Sequence, residues 1–553
     1  MKISTQSKYL SFKNEISDWL NEKLASIQYA PYVVFISYGE PSARCKVWST
    51  AAPDVKTAIN RTLNFLEKLY TKKRCLPEFL KFDVAVNIEQ KLWQDVKDTL
   101  NTQMHNNHFR KGVSFDSKFE ICFLEQELYG KALIRGIVYN QPTFWDQDNV
   151  NRAIHSKYPT ITKNLELDQL KHVWLFDTVS AFYEDEKMLN LQSTGPVNGV
   201  RELDSDLKTR IRSLILENAT FLHNEIQEDG RFVYGYFPAY DRELKSYNTV
   251  RHCTAVYALL ETLEVDYKEQ YLSKIQLAIE YAIQTFYKEV NGSGFMTDGD
   301  NDSEIKLGSN AAAIFMFAKY QEITQDAQYQ SVAEKLAEGI LYMVDEQGQT
   351  THVIDYPSLE TKEKFRIVYY DGEAALGLLR LYQINQDATL LQTVKLMFEH
   401  FIEKKYDKYH DHWLSYCTNE LTKICPEEKY FEFGLNNYLK HMKFIAERKT
   451  AYATFLEMMM SAYKMVIRMR EQGFDELYEK SKFEELKKLI EQRVEFQRST
   501  GYFYPEVAMY MAKPEKILKA FYVRHDRFRT RIDDQEHNLS GYVAYVNFFH
   551  LSG

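Results

Sequence analysis

Chemistry-bearing residues in this chain gather at the heads of apolar runs. Glu373 follows Tyr370, Asp371 and Gly372 and leads into Ala374-Ala375-Leu376-Gly377-Leu378-Leu379. A carboxylate in the first turn of a helix is welcomed by the macrodipole, so Glu373 reads either as a dipole partner or as an acid placed for proton transfer. Asp371 beside it reads as the N-cap. Residues 529 to 542 form the densest polar cluster, with Arg531, Asp533, Asp534, His537 and Asn538 ahead of an apolar helix. Asp533 and His537 stand four apart and project together if the helix starts early; capping by Asp533 or Asp534 is the competing reading. Arg531 suits a salt bridge or a bidentate clamp on a carboxylate or phosphate. His252 and His412 each head an apolar run, as hydrogen-bonded structural histidines or as proton shuttles. The expected catalytic set is therefore Glu373, Asp533, Asp534, His537, His412 and His252. Arg251, Asn310, Tyr370, Arg448, Arg531 and Asn538, at the same helix heads, are expected to hold the ligand.

Those heads belong to a repeated design. From about residue 207, nearly all-apolar helices alternate with one-faced ones. The apolar set runs about 251–264, 309–324, 372–385, 411–423, 451–470 and 537–550. The one-faced set runs about 207–227, 268–289, 327–344, 388–404, 427–446 and 481–498. Leu272, Ile275, Ile279, Ala282 and Phe286 show the i, i+3, i+4 stripe of the second kind. Short connections make neighbours antiparallel, so the apolar helices all point one way and form an inner ring wrapped by the others. Their N-termini then share one rim, whose summed dipoles favour an anionic ligand such as a uronic acid or phosphate. Glycine-marked extended stretches, including residues 229–237, 292–296, 347–353 and 500–504, precede the inner helices and would wall that rim.

This unit, a glycine-aromatic ribbon, a polar helix start, an Ala/Leu-rich inner helix and an amphipathic outer helix, resembles the (α/α)6 toroid. That superfamily includes six-hairpin glycosidases, sugar 2-epimerases and lanthionine cyclases. The resemblance covers residues 206–553 and implies a mainly α fold of six inner and six outer helices, preceded by a smaller mixed α/β domain. With that fold, the first functional expectation is a carbohydrate-active enzyme of glycoside hydrolase type; the residues themselves, rather than the resemblance, offer Glu373 as acid and Asp533 or Asp534 as the second carboxylate. A sugar epimerase or isomerase using His252, His412 and His537 stays open beside it, as does a non-catalytic or peptide-modifying scaffold. Zinc-dependent members carry Cys and His ligands near the inner helix starts. Here Cys253 adjoins His252 and Cys417 lies a turn beyond His412, which falls short of the three convergent ligands zinc needs. No metal and no cofactor are expected. The Met458-Met459-Met460 run reads as core packing.

The chain of 553 residues is too long for one ordinary core. Residues 1–150 read as a mixed α/β accessory domain, with helices over 11–25 and 55–70. Its strands are expected at 32–38, 45–49, 82–88, 119–124 and 132–139, with no phosphate loop or dinucleotide fingerprint. Residues 151–205, rich in proline and glycine at their edges and with helical pieces around 165–183, read as a linker packing on both domains. A net charge of −9 and the lack of a basic run argue against nucleic acid and anionic membranes. No apolar stretch has the length of a membrane span, and the N-terminus lacks the core of a secretory signal. The six scattered cysteines read as reduced thiols in a cytoplasmic protein. The expected partners are a small-molecule or oligosaccharide substrate and a protein docking through the N-terminal domain.

Overall fold

A computed structural model describes residues 5–28, 30–102, 109–136, 143–203 and 207–549. The chain divides into two compact units, each discontinuous in sequence. The first comprises Met1–Ser205, Tyr236–Arg242 and Ser499–Thr530; the second comprises Asp206–Gly235, Glu243–Arg498 and Arg531–Gly553.

The first unit is organised on an antiparallel sheet. Its strands are β1 (Tyr32–Gly39), β2 (Lys46–Ala52), β3 (Phe79–Leu92), β4 (Gly112–Ser114) and β5 (Cys122–Phe123); β6 (Ile134–Arg135) and β7 (Phe144–Trp145) pair apart from it. β8 (His172–Glu184) and β9 (Lys187–Leu191) complete the sheet in the order β2-β1-β3-β8-β4-β5, with β9 on β8. The helices are α1 (Thr5–Ala25), α2 (Val55–Lys73), α3 (Trp93–Thr102), α4 (Glu125–Gly130) and α5 (Gln147–Lys157). Val34 faces Val84 and Ile36 faces Phe82 in the register. These side chains pack with Phe12, Ile16, Leu20 and Leu66 of α1 and α2. The opposite face carries Val33, Phe35, Phe176 and Phe182, joined by Met509 and Tyr510. Burial on both faces explains the unbroken apolar run Val33-Val34-Phe35-Ile36.

Two expectations are corrected here. The stretch 151–205 holds helical pieces, the end of α5 and short turns at Leu167–Gln169 and Gly195–Val197, but it is chiefly sheet rather than linker. It supplies β8, paired with β3 from Lys81↔Phe182 to Leu92↔His172 and with β4 on its other side. Val173, Trp174, Thr178, Val179, Phe182 and Tyr183 are β-branched or aromatic and suit a pleated sheet better than a helix. Residues 500–504, expected at the rim of the helical ring, fall in the first unit, together with Tyr510, whose hydroxyl lies 2.7 Å from Ser37 Oγ.

The second unit is helical. Its larger helices are α6 (Leu207–Asn224), α7 (Thr249–Thr262), α8 (Glu269–Phe286), α9 (Leu307–Thr324), α10 (Gln330–Tyr342), α11 (Tyr369–Asn385), α12 (Ala388–Glu403), α13 (His412–Ile424), α14 (Glu428–Leu439), α16 (Thr454–Glu471), α18 (Phe483–Thr500) and α20 (Ile532–Phe548). Short α15 (Met442–Glu447) and α17 (Asp475–Lys480) lie between them, and α19 (Pro505–Ala508) falls in the first unit. The packing order is cyclic: α7 on α9, α9 on α11, α11 on α13, α13 on α16, α16 on α20, and α20 back on α7. These six are buried nearly all round; α9 is buried without a break from Leu307 to Tyr320. The others bury a stripe, as α8 does with Ile275, Ala278, Ile279, Ala282 and Phe286. A Cβ on Gly372 would lie 2.7 Å from the Trp413 backbone carbon, so glycine lets α11 approach α13.

Two boundaries differ from those expected. The helix expected over 427–446 breaks at Lys440-His441 into α14 and α15. The helix expected from 537 begins at Ile532, whose buried side chain anchors the first turn directly after the extended Arg531. Among the described residues no helix is long and apolar enough to cross a membrane.

Candidate active site

The first turns of the ring helices meet one another. Arg251 of α7 donates through Nε to Asp533 of α20 at 3.0 Å. His537 of α20 reaches Glu457 of α16 and stands edge-on to His412 of α13. Glu373 of α11 leans on the start of α9, where a Cβ on Gly308 would fall 2.0 Å from its Oε2. Only glycine leaves that carboxyl room.

Glu373 is 3% exposed, and its Oε2 has no hydrogen-bond partner among the described residues. Burial, then the nearby Asp411 and Glu536, push its pKa from 4.5 up to about 8, against the pull of His537 and Arg251. It is a carboxyl that keeps its proton at neutrality. Half-buried Tyr370 packs against the same spot, and burial followed by Glu373 raises its phenol.

The two histidine rings have centroids 5.1 Å apart at 82°. His537 Nδ1 lies 2.9 Å from Glu457 Oε2 and 3.1 Å from Glu536 Oε2. The angles make these ion contacts rather than in-line hydrogen bonds. Burial opposes a charge on His537, but Glu536 and Glu457 outweigh it and hold the imidazole well above its ordinary value. Glu536 itself is raised, chiefly by burial, and His537 eases that cost. Tyr416 donates to Glu457 Oε1 at 3.1 Å and fixes the carboxylate. His412 lies with Nδ1 3.2 Å from Asp411 Oδ1, while its buried Nε2 has no partner among the described residues. Tyr369 and Trp413 pack on the His412 ring at 5.4 and 4.9 Å. His412, Glu457 and His537 each offer a donor atom within 4.8 Å of the others, a group able to hold a metal ion. No cysteine belongs to that group, and burial raises the thiols of Cys253 and Cys417.

Asp533 sits between two guanidinium groups, with Arg531 Nη2 at 2.7 Å from the same Oδ2 that Arg251 holds. Arg251 also donates to Tyr234 OH at 2.9 Å. Asp534 lies 3.5 Å from Arg531 Nη2. Neither aspartate caps α20, whose N-cap is Arg531 without a side-chain bond. Both carboxylates thus have arginine for a partner, Asp533 twice over.

Four expected residues lie outside this group. His252 is fully buried, with Nε2 donating to Ala278 O and Nδ1 accepting from Tyr247 OH, both at 2.8 Å. The tautomer follows because the Ala278 carbonyl can only accept, which puts the proton on Nε2 and leaves Nδ1 to the Tyr247 hydroxyl. Burial lowers the His252 pKa to about 4, so it is a neutral structural histidine. Asn310 spends its amide on Gly294 O and Leu336 O and its carbonyl on the Met296 amide, pinning an extended segment to α9. Asn538 bonds Asp534 O and Gln497 Nε2. Arg448 donates to Thr450 Oγ1 and stacks over Phe444 and Tyr452. Asp371 is not the N-cap of α11. It accepts from Thr350 Oγ1 at 2.6 Å and faces His352 Nε2 at 3.0 Å, while Val368 stands at the cap.

Sequence reasoning missed Glu457 and Glu536. Glu457 announced itself as a lone acid within Phe455-Leu456-Glu457-Met458-Met459-Met460, because a charge inside an all-apolar helix needs a partner.

No family model and no curated protein match the chain. Solved structures similar to it include a cellobiose 2-epimerase from Bacillus thermoamylovorans B4167, at 14% identity over 61% of this chain and 99% of that one, with TM-score 0.47. A D-mannose isomerase matches at 12% identity over 62% and 99%, TM-score 0.47. The GH76A alpha-1,6-mannanase from Salegentibacter sp. HEL1_6 matches at 12% over 60% and 98%, TM-score 0.43. Likeness of this size decides neither family nor activity, and the cyclic helix packing stands on its own contacts.

Proposed function

We propose that the second unit is an (α/α)6 toroid whose rim is the active site of a carbohydrate-processing enzyme, and that it moves protons beside a sugar carbonyl as an epimerase or isomerase. The observation that carries this reading is the histidine pair: His412, whose buried Nε2 has no partner among the described residues, and His537, whose ring centroid lies 5.1 Å from that of His412 and whose pKa Glu536 and Glu457 hold well above the ordinary value despite burial. A base and an acid so placed can share one substrate carbon and its carbonyl. His412 Nε2 takes the proton from the carbon next to the carbonyl, and the C–H electron pair forms the carbon–carbon double bond of an enediol. His537 gives its proton to the carbonyl oxygen. Reversal, with the proton returned to the other face or the neighbouring carbon, completes the exchange without net redox change. Glu373, protonated at neutrality, donates a hydrogen bond to a substrate hydroxyl. The rings of Tyr369, Tyr370 and Trp413 beside these groups suit the faces of a sugar.

Glycoside hydrolysis is the second reading, and the protonated Glu373 favours it as general acid. Its weakness is the second carboxylate, because Asp533 and Asp534 are engaged by Arg251 and Arg531. The similar solved structures are sugar enzymes by name, so saccharides are the first substrates to try. Incubating the full chain with reducing mono- and disaccharides in deuterium oxide should place deuterium at one substrate carbon, and His412→Asn should stop it. Release of a shorter sugar without carbon-bound deuterium would replace the epimerase reading by the hydrolase.

A further inference from the structure

The first unit contains a cavity of about 940 Å³ lined by six basic side chains, Arg44, Lys46, Lys131, Arg135, Arg152 and Lys157, and by no acidic one. In a chain of net charge −9 this is a local reversal of sign. Part of the charge is answered from behind the wall. Glu127 pairs with Lys131 at 3.1 Å and with Lys157 at 2.7 Å, and Asp146 pairs with Arg135 at 2.8 Å. The rest is not. Among the described residues Arg44, Lys46 and Arg152 have no carboxylate within ion-pair distance.

Arg44 is the telling case. Its Nε donates to Tyr510 O at 3.0 Å and its Nη2 to Ala239 O at 2.6 Å, so two backbone carbonyls fix the guanidinium in place. Burial disfavours its charge and lowers its pKa, with no anion supplied to compensate. A partly buried, pre-positioned cation lacking a counter-ion is completed by an anionic ligand. Tyr158 and Tyr240 line the same space and offer ring surface for an uncharged moiety. The volume lies in the range of small-ligand pockets and far exceeds one phosphate ion. A bounded concavity of this size takes a small molecule rather than a nucleic-acid duplex.

We propose that this cavity binds a phosphorylated small molecule of nucleotide size, its phosphate oxygens held by Arg44 with Lys46 and Arg152 and its remainder lying beside Tyr158 and Tyr240. Guanidinium forks match phosphate oxygens bidentately, and several uncompensated cations favour a dianion or polyanion over a single carboxylate. The site is independent of the reading given to the helical ring.

The test is calorimetric titration of the full chain at low salt with ATP, glucose 6-phosphate, inorganic phosphate and glucuronic acid. ATP or glucose 6-phosphate should bind with a sub-millimolar Kd that weakens as salt is raised. Inorganic phosphate and glucuronic acid should bind at least about tenfold more weakly. Arg44→Met braces less of the fold, so the decisive variant is the exposed pair Lys46→Gln with Arg152→Gln. It should keep the wild-type melting temperature and lose binding by about tenfold or more. His412→Asn, in the helical ring, should bind the probes as the wild type does. No binding by either phosphate ester, equal binding by glucuronic acid, or an unaltered Kd in the double variant would each overturn the assignment.

Discussion

The two ends of the six-helix ring are made from the same helices and handle charge in opposite ways. At the end formed by the last turns, Lys319 pairs with Glu264 and Glu322, and Arg380 with Glu322 and Glu420. Lys423 pairs with Glu420, and Arg468 donates to Asn419 O at 3.1 Å. At the end formed by the first turns, Glu373 Oε2 and His412 Nε2 have no hydrogen-bond partner among the described residues. Glu420 and Glu373 are both buried acids on adjacent ring helices. Burial opposes ionisation of Glu420 too, but Lys423 and Arg380 overturn it and draw the pKa down to about 2. Glu373, facing other acids, rises to about 8. Pairing at the last turns is extensive but not complete: Glu261, pushed up to about 7 chiefly by burial, keeps an Oε2 with no hydrogen-bond partner among the described residues.

The contrast can be broken by substitution. Glu373→Gln should cut turnover by about 10²–10⁴-fold while leaving ligand binding in place, as a lost acid does. Unchanged turnover would make both ends structural. Arg380→Met should leave Glu420 with less compensation in the core and cost about 3–5 kcal/mol in denaturant unfolding. Turnover per folded molecule should not change, and a loss there would carry the functional end through the ring.

Acidity sharpens the contrast further. Glu373 binds its proton more tightly folded than unfolded, so its contribution to stability is full below pH 4.5 and is lost as pH rises through about 8. Glu420 has the opposite sign: its contribution is present above pH 4.5 and is lost as pH falls toward about 2. Comparing Glu373→Gln with wild type by chemical denaturation between those limits should show the variant gaining on the order of a few kcal/mol as pH rises. A flat difference would mean that the carboxyl is already ionised in the fold.

Smaller effects follow from geometry. Gly308→Ala should push Glu373 aside, cost about 1–3 kcal/mol and lower turnover, because the added methyl occupies the carboxyl's space. His252→Phe should cost about 1–3 kcal/mol for the orphaned Tyr247 hydroxyl and Ala278 carbonyl. Its turnover per folded molecule should match wild type, separating this histidine from His412 and His537.

The helices were legible in the sequence because burial writes itself as period and composition: α11 reads as apolar on every side from Ala374 to Leu379, α8 as a single stripe. β8 was not, since its buried positions include polar Thr178 and Ser180 while its half-buried ones include Leu175 and Val179, and its flanking prolines resembled a connector. Within the site, Glu373, His412 and His537 were visible as polar groups on apolar helices. Glu457 carried a signal, a lone acid on an apolar helix, but its partner His537 lies on another helix that sequence spacing cannot relate to it, and Glu536 was lost among the polar letters around it. His252 and His412 look alike as letters at a helix head. They differ only in whether a carbonyl happens to meet the Nε2 atom, which is a fact of packing.

α20 both seals the ring against α7 and brings His537 to the site. A variant lacking α20 would therefore leave the flanks of α7 and α16 uncovered and part Glu457 from His537. One helix closes the core and places a candidate acid, so a substitution that loosens its packing should disturb both together.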